Sequence, residues 1–141
     1  PYTTLFRSVD TNFLINALQS NYIPVIAPLG FNENNEIFNI NADDVACSIA
    51  ASISAEKLIL MTDQEGVLND NGELLTNLDV AEVKKLIKKE IISGGMLPKV
   101  NACITALGGG VKKTHIIDGR VEHAVLLELF TNTGIGTLVN K

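Results

Sequence analysis

The sequence lacks several features that would assign it quickly to a class of protein. Its 141 residues contain two cysteines and no apolar run near the ~20 residues of a membrane-spanning helix. Charged residues make up 19% and the net charge is -5, so nothing suggests a surface for nucleic acid or an acidic membrane. The first residues do not have the layout of a signal peptide. The chain is 46% hydrophobic, which suits one domain with a real core.

The cysteines and histidines do not form a recognisable reactive or metal-binding pattern. Cys47 and Cys103 each lie in an apolar helical pattern without CxxC spacing, which predicts buried thiols in a reducing compartment. We therefore expect a cytoplasmic protein. His115 and His123 are not spaced as a metal pair, so no metal site made of side chains is predicted. His115 lies in a predicted strand and is expected to be a satisfied structural histidine.

The first eight residues, Pro1–Ser8, form a separate segment. The DNA sequence that would encode the octapeptide PYTTLFRS resembles a common short-read sequencing adapter. We expect these residues to be non-native and predict one domain over residues 9–141. A genuine strand or loop is the alternative.

Three apolar runs are predicted to be the central strands of the fold. They are Ile23–Leu29, Lys57–Thr62 and Thr114–Asp118, and each is apolar on both faces. Their alternation with helical patterns predicts an α/β fold of three layers with a mainly parallel open sheet. The other predicted elements are helices over Val9–Gln19, Asp43–Ser54, Val80–Lys89, Val100–Leu107 and Glu122–Thr131, a hairpin around Asn71-Gly72 and a closing strand Thr137–Val139.

Polar side chains cluster where the second predicted helix begins, at Asn39, Asn41, Asp43 and Asp44. The free N–H groups and the dipole of a helix N-terminus favour anions. Plain helix capping is the alternative, because Asn and Asp are preferred N-cap residues. Four polar residues so close to a strand end favour a site.

Two further loops have the composition of a phosphate-handling site. Thr62–Gly66 follows a predicted strand at its carboxyl end, where open α/β sheets place their ligands. Ser93–Lys99 combines two adjacent glycines with a lysine. Glycine lets the backbone approach an anion and lysine supplies a point charge, although paired glycines alone mostly mark a mobile loop.

The order of these motifs resembles one protein family. The segments NINAD, KLILMTDQEGVL, IISGGMLPKV, HIIDGR and LLELFTNTGIGT resemble the carboxyl-terminal half of the N-acetyl-L-glutamate kinases, within the amino acid kinase family. TDxxGV occurs across that family, whereas GGMxPK, HIIDGR and the LFTxxGIGT tail indicate this branch. The resemblance covers Val9–Lys141 and implies a complete carboxyl terminus. It also implies that the amino-terminal half, with a phosphate loop and a second catalytic lysine, is missing.

The resemblance implies roles for particular residues. Lys99 corresponds to the lysine that stabilises the transferring phosphoryl group, and Asp43 to the aspartate that orients the catalytic lysines. Asn39 and Asn41 correspond to the part of the family's site that binds acetylglutamate. ATP with Mg2+ is the implied cofactor. The implied nucleotide-binding residues are Thr62, Asp63, Gly66, Val67, Leu68, Ile91, Ile92, Ser93 and Met96.

The implied activity is ATP-dependent phosphorylation of the side-chain carboxylate of N-acetyl-L-glutamate to an acyl phosphate, in arginine biosynthesis. The resemblance implies a homo-oligomer when full length, and we expect this fragment to be inactive alone. One alternative is another amino acid kinase, acting on carbamate, glutamate or uridylate, which should lack the three branch motifs together. The other is a non-catalytic nucleotide-binding or regulatory domain.

The tail His123–Gly136 resembles that of the arginine-inhibited members. This implies that Glu128 and the backbone near Gly134 hold L-arginine, since a carboxylate can pair bidentately with a guanidinium. The alternative is an ordinary amphipathic helix with one exposed acid.

Overall fold

A computed structural model of the chain describes residues 9–132 and 134–141, so the predicted non-native segment Pro1–Ser8 lies outside the described residues. The described part contains five helices and six strands. The helices are α1 (Thr11–Gln19), α2 (Ala42–Ser52), α3 (Val80–Lys88), α4 (Met96–Gly108) and α5 (Ala124–Phe130). The strands are β1 (Leu29–Phe31), β2 (Ile37–Asn39), β3 (Lys57–Thr62), β4 (Asn77–Asp79), β5 (Lys113–Asp118) and β6 (Thr137–Asn140). None of these helices is long and apolar enough to cross a membrane.

Four of the strands form the main sheet, in the order β3-β5-β6-β4. The pairs β3–β5 and β4–β6 are parallel, whereas β5–β6 is antiparallel. β1 and β2 form a separate antiparallel hairpin. The predicted α/β class with a mostly parallel sheet is therefore confirmed.

Helices cover both faces of strand β5. Every residue of β5 after Lys113 is buried, so neither face is open to water. Alternate side chains of a strand point to opposite faces. Ile116 joins the core that includes Val100 and Leu107 of α4, while the neighbouring His115 contacts Glu128 of α5. The result is the predicted order of helix, sheet and helix layers.

The prediction of a central strand over Ile23–Leu29 is wrong. Residues 23–27 form no strand, and β1 begins only at Leu29. Pro24 and Ile26 border a groove against α2, whereas Val25 is 97% exposed. Apart from Pro24, residues 23–27 are exposed. Among the described residues no strand pairs with its backbone, and an apolar pattern alone cannot supply that neighbour.

This difference changes two related predictions. Lys57–Thr62 is a strand with the predicted bounds, but it lies at the edge of the described sheet and not in its centre. The helix α2 also does not connect two parallel strands of this sheet, because the predicted strand before it does not form. The parallel partner of β3 is β5, which is reached through α3 and α4.

Local side-chain chemistry explains where the site helices begin. Asn41 Oδ1 accepts hydrogen bonds from Asp43 N at 2.9 Å and Asp44 N at 3.2 Å, which caps α2. α4 begins at Met96 with Pro98 in its first turn, where a missing N–H costs nothing. The predicted turn at Asn71-Gly72 is present, and a bridge between Leu68 and Leu74 closes it.

Candidate functional site

The loop after β3 and the start of α4 enclose a cavity of about 420 Å³. This lies within the usual range for small-molecule sites, roughly 300–1,000 Å³. The lining residues are Thr62, Asp63, Gln64, Gly66, Val67, Leu68, Ile91, Ile92, Ser93, Gly95, Met96 and Lys99. All nine residues that the resemblance assigns to the nucleotide are among them. The structure therefore brings two loops that are distant in sequence to one cavity.

The loop after β3 is held close to the sheet by its backbone. Val67 is buried, its N–H donates to Thr137 Oγ1 at 2.8 Å, and its carbonyl accepts from Leu75 N at 2.8 Å. Gly66 has a φ of +151°, and a Cβ there would lie 2.6 Å from Thr137 Oγ1. Only glycine fits such a close approach. The loop thus lies against the sheet beside the cavity.

An ion pair lies at the border of the cavity. Lys99 Nζ is 3.0 Å from Asp43 Oδ2 and 3.3 Å from Oδ1, and it lies 3.4 Å from the carbonyl oxygen of Met61. The two charged side chains are about one fifth exposed, at 20% and 22%. The predicted proximity of these two residues is confirmed. Because the ammonium group also lines the cavity, it can face an anion there while Asp43 holds it.

The electrostatics of the cavity favour an anion at the α4 end. Lys99 is the cation among the lining residues, and it lies in the first turns of α4. Gly95 precedes that helix, and the side chains there do not cap it. The N–H groups of Met96 and Leu97 bond to the carbonyls of Ser93 and Gly94, so the helix dipole is what adds to the positive potential of the lysine. A phosphate chain suits this end.

A second ion pair lies beyond the carboxyl end of β5. Arg120 donates to Asp118 from Nε at 2.9 Å and from Nη2 at 2.8 Å. Hydrogen bonds from Arg120 hold the pKa of Asp118 below its usual value. Asp118 raises the pKa of Arg120 in return, with smaller contributions from Asp63 and Glu65. Arg120 therefore lies in the field of the acidic loop after β3.

The residues assigned to acetylglutamate do not line the cavity. Asn39 ends β2, where it is exposed and pairs in register with Leu29. The Asn41 side chain caps α2, as the capping alternative states. Asp43 alone of the predicted polar cluster reaches the cavity, through Lys99. Substrate binding by the two asparagines stays a prediction.

The predicted arginine site lies around α5. Glu128 is not the exposed acid of the alternative reading: its side chain is only 6% exposed. Its Oε1 lies 2.6 Å from His115 Nδ1, and its Oε2 accepts from Ile135 N at 2.7 Å. A Cβ at Gly134 would lie 2.9 Å from Glu128 Oε2, so glycine lets the loop close over the carboxylate. His115 is hydrogen-bonded only at Nδ1: within residues 9–132 and 134–141, its buried Nε2 has no partner.

The two thiols are buried and free, as predicted. Burial raises the pKa of Cys103 to about 11, and burial with the nearby Asp44 raises the pKa of Cys47. Thiols in this state are poor nucleophiles and poor metal ligands. No cluster of three or more side chains that could ligate a metal occurs in residues 9–132 and 134–141.

Comparison with known proteins identifies the family. The family described as "Amino acid kinase family" matches residues 1–118. The chain belongs to the amino acid kinase family.

Acetylglutamate kinases are among the relatives of this amino acid kinase chain. The enzyme of Pelobacter propionicus is 56% identical over 133 residues, which cover 94% of this chain and 46% of the relative. The enzyme of Moorella thermoacetica is 49% identical over 141 residues, covering 98% and 48%. The chain thus spans about half the length of the curated relatives it matches.

Solved structures show the same fold. N-acetylglutamate synthase from Neisseria gonorrhoeae, complexed with coenzyme A and L-arginine, superposes with a TM-score of 0.90 at 32% identity, over 96% of this chain and 31% of that one. Carbamate kinase from Giardia lamblia bound to AMP-PNP gives 0.68 at 24% identity, over 96% and 46%. The second likeness shows the shared amino acid kinase fold alone.

Sequence reasoning missed one residue next to the cavity, Thr137. It reads as an ordinary strand former in the closing strand. The structure shows that its hydroxyl holds Val67 across 70 residues of sequence. A hydroxyl among the apolar residues of an interior strand was the available signal.

Proposed function

We propose that this chain is the nucleotide-binding half of an ATP-dependent kinase that phosphorylates the side-chain carboxylate of N-acetyl-L-glutamate. The observation that carries the proposal is the Lys99–Asp43 ion pair at the border of a cavity between two loops. The names of the curated relatives support the choice of acceptor. A carbamate, glutamate or uridylate kinase is the alternative within the family.

In the proposed reaction, a carboxylate oxygen of the acceptor attacks the γ-phosphorus of ATP. The bond to the β-phosphate oxygen breaks, and ADP leaves with that electron pair. The products are ADP and an acyl phosphate. Because both reactants are anions, the protein must bring them together and offset the charge that builds up between them.

Lys99 has the position and charge for that task. Its ammonium group lines the cavity, and the Asp43 carboxylate together with the Met61 carbonyl fixes its direction. A charge that is already oriented needs little reorganisation in the transition state, which makes it more effective than a mobile one. The β- and γ-phosphates would lie at this end, over the start of α4.

The apolar lining of the cavity suits the nucleoside. Val67, Ile92 and Met96 all line it, so they can contact a base. Mg2+ bound to ATP would offset part of the phosphate charge. The phosphates and water would supply most of its ligands, since the described residues contain no cluster that could hold the ion alone.

The chain spans about half of its curated relatives, so catalysis requires a completed domain. The test joins residues 9–141 to the unmatched remainder of the Pelobacter propionicus enzyme. ADP release would be measured with N-acetyl-L-glutamate, L-glutamate, carbamate and uridylate offered separately, because phosphorylated uridylate is a diphosphate that hydroxylamine does not trap. With N-acetyl-L-glutamate or L-glutamate, hydroxylamine would also convert the acyl phosphate to a hydroxamate. We expect acceptor-dependent ADP release, with hydroxamate, only with N-acetyl-L-glutamate.

A matched chimera separates the contribution of this chain from that of the relative. The same chimera with the substitution Lys99→Ala should form little hydroxamate, because the ion pair at the cavity is lost. Turnover that is greatest with another acceptor would replace the proposed substrate. No turnover with any acceptor, from a folded chimera, would overturn the kinase assignment for these residues.

A further inference from the structure

The hydroxyl of Thr137 serves the loop that borders the cavity. Thr137 is fully buried in β6, an interior strand of the sheet. Its Oγ1 accepts a hydrogen bond of 2.8 Å from Val67 N, which lies 70 residues earlier in the chain. A buried hydroxyl costs stability unless it is hydrogen-bonded, and valine has nearly the same shape with a higher preference for strands. The side chain is therefore best explained by the loop that it holds.

Thr137 Oγ1 is the hydrogen-bond acceptor for the backbone N–H of Val67 in this loop. β3 ends at Thr62, and Val67 is buried five residues later without a strand partner for its N–H. The Val67 carbonyl is held separately by Leu75 N. Without Thr137 Oγ1 the N–H of Val67 would be a buried donor with no partner, and such a group is costly.

A glycine precedes each of the two residues in contact, Val67 and Thr137, and makes the contact possible. A Cβ on Gly66 would lie 2.6 Å from Thr137 Oγ1 and 2.7 Å from Leu74 Cδ1, so only glycine lets the loop come this close. A Cβ on Gly136 would collide with the carbonyl oxygen of Ile116, which shows how closely β6 packs on β5 at this point. Thr137 therefore lies in a closely packed part of the sheet, next to Gly136.

We infer that Thr137 is a positioning residue that holds Gly66, Val67 and Leu68 in the shape that binds the nucleotide. It does not line the cavity itself, whereas all three of those loop residues do. Its effect on a ligand is therefore indirect and acts through the backbone of Val67. The inference rests on the proposed nucleotide site and deepens it.

The test measures MgATP affinity of the whole 141-residue chain by calorimetry, with Thr137→Val, Thr137→Ser and Thr114→Val beside the wild type. Thr114 of β5 is the matched control. It is also fully buried, and its hydroxyl donates a hydrogen bond of 3.1 Å to the carbonyl oxygen of Val139. Thr137→Val should weaken binding about tenfold, the upper range for one lost hydrogen bond. Thr137→Ser keeps the hydroxyl and should stay within about twofold. Thr114→Val should lower the melting temperature but leave affinity unchanged.

Equal affinity of Thr137→Val and the wild type would overturn the inference. So would an equal loss in Thr137→Ser and Thr137→Val, because the hydroxyl would then not be the cause. If Thr137→Val does not fold, amide hydrogen exchange of the wild type and of Thr137→Ser tests whether the Val67 N–H is hydrogen-bonded. Val67 N–H should exchange as slowly as the β5 amides in the wild type and in Thr137→Ser, and fast exchange in the wild type would overturn the inference.

This experiment distinguishes failure of the proposed nucleotide site from failure of the inference about Thr137. A wild-type chain that binds no MgATP would overturn the nucleotide site and, with it, the role of Thr137 in binding. Slow exchange of Val67 would then still show that the hydrogen bond exists. Wild-type binding with no effect of Thr137→Val would leave the nucleotide site intact and overturn only the inference.

Discussion

Lys99 Nζ lies 3.0 Å from Asp43 Oδ2, which joins the beginnings of two helices across 56 residues of sequence. Asp43 is placed by the Asn41 cap of α2, and Lys99 by the first turns of α4. Each helix start thus carries one partner of the pair. The position of the ammonium group at the cavity depends on the packing of α2 against α4.

The first prediction concerns Lys99→Ala in the completed chimera. Its charge matters most while the phosphoryl group moves, so kcat should fall about 100-fold or more, the range for loss of one preorganised charge-stabilising group. The dissociation constant of MgATP should change far less. Steady-state kinetics and calorimetry measure the two quantities. Lys88→Ala, an exposed lysine in the last turn of α3, is the control and should change neither. Equal losses in both quantities would count against the role in the transition state.

The second prediction concerns acid stability. Hydrogen bonds from Arg120 lower the pKa of Asp118 below its usual value in the folded chain, so the ionised carboxylate stabilises the fold. That stabilisation is complete above the unfolded pKa and is lost as the pH falls through the lower folded value. Asp118→Asn should therefore be less stable than the wild type at pH 6.5, and the difference should shrink below about pH 4.

Urea unfolding between pH 6.5 and pH 3 measures this difference. Asp70→Asn, an exposed aspartate in the turn after the cavity loop, is the control. It should follow the wild type across the range. A gap between Asp118→Asn and the wild type that is as large at pH 3 as at pH 6.5 would contradict the account.

The third prediction concerns the thiols. With its pKa raised to about 11 by burial, Cys103 is almost entirely protonated at pH 8, and Cys47 is shifted in the same direction. Neither should react with Ellman's reagent in the folded chain, because the thiolate is the nucleophile. Both should react in guanidinium chloride. Asn71→Cys, in an exposed turn, provides a reactive reference. Rapid reaction of either native thiol would show that the α2–α4 region opens.

The fourth prediction concerns L-arginine. We propose that it binds at Glu128, where a guanidinium would compete with His115 and Ile135 N for the carboxylate. Calorimetry on the completed chimera should show arginine binding that Glu128→Gln removes. Glu122→Gln is the control, since that side chain is 89% exposed. Equal binding by Glu128→Gln and the wild type, or none by either, would exclude Glu128 as the partner of the effector.

Local patterns predicted much of the fold. The bounds of β3 and the turn at Asn71-Gly72 follow from residues that interact within a few positions. The strand over Ile23–Leu29 was predicted wrongly, because a strand requires a neighbour and the pattern describes only its own side chains. The described residues provide no such neighbour, and Val25 is left in water.

The candidate site also has a part that was predicted from the sequence and a part that was not. The family resemblance implied nine nucleotide-binding residues, and the fold brings all nine to one cavity together with Lys99. Contacts between distant segments were beyond sequence reasoning. The hydrogen bond between Thr137 and Val67 and the burial of Glu128 against His115 both depend on how β6 and α5 pack on β5. The residues around Thr137 and Glu128 in sequence do not identify the distant partner of either side chain.

The most direct test of the central claim is an amide chemical-shift map of the 141-residue chain titrated with MgATP. The account predicts saturable shifts in the two loops that enclose the cavity, Thr62–Leu68 and Ile91–Lys99. The groove between α3 and α4, bordered by Lys84 and Lys141, is the internal control and should not respond. Shifts confined to that groove, or no shifts at millimolar MgATP, would contradict the claim that this cavity is the nucleotide site.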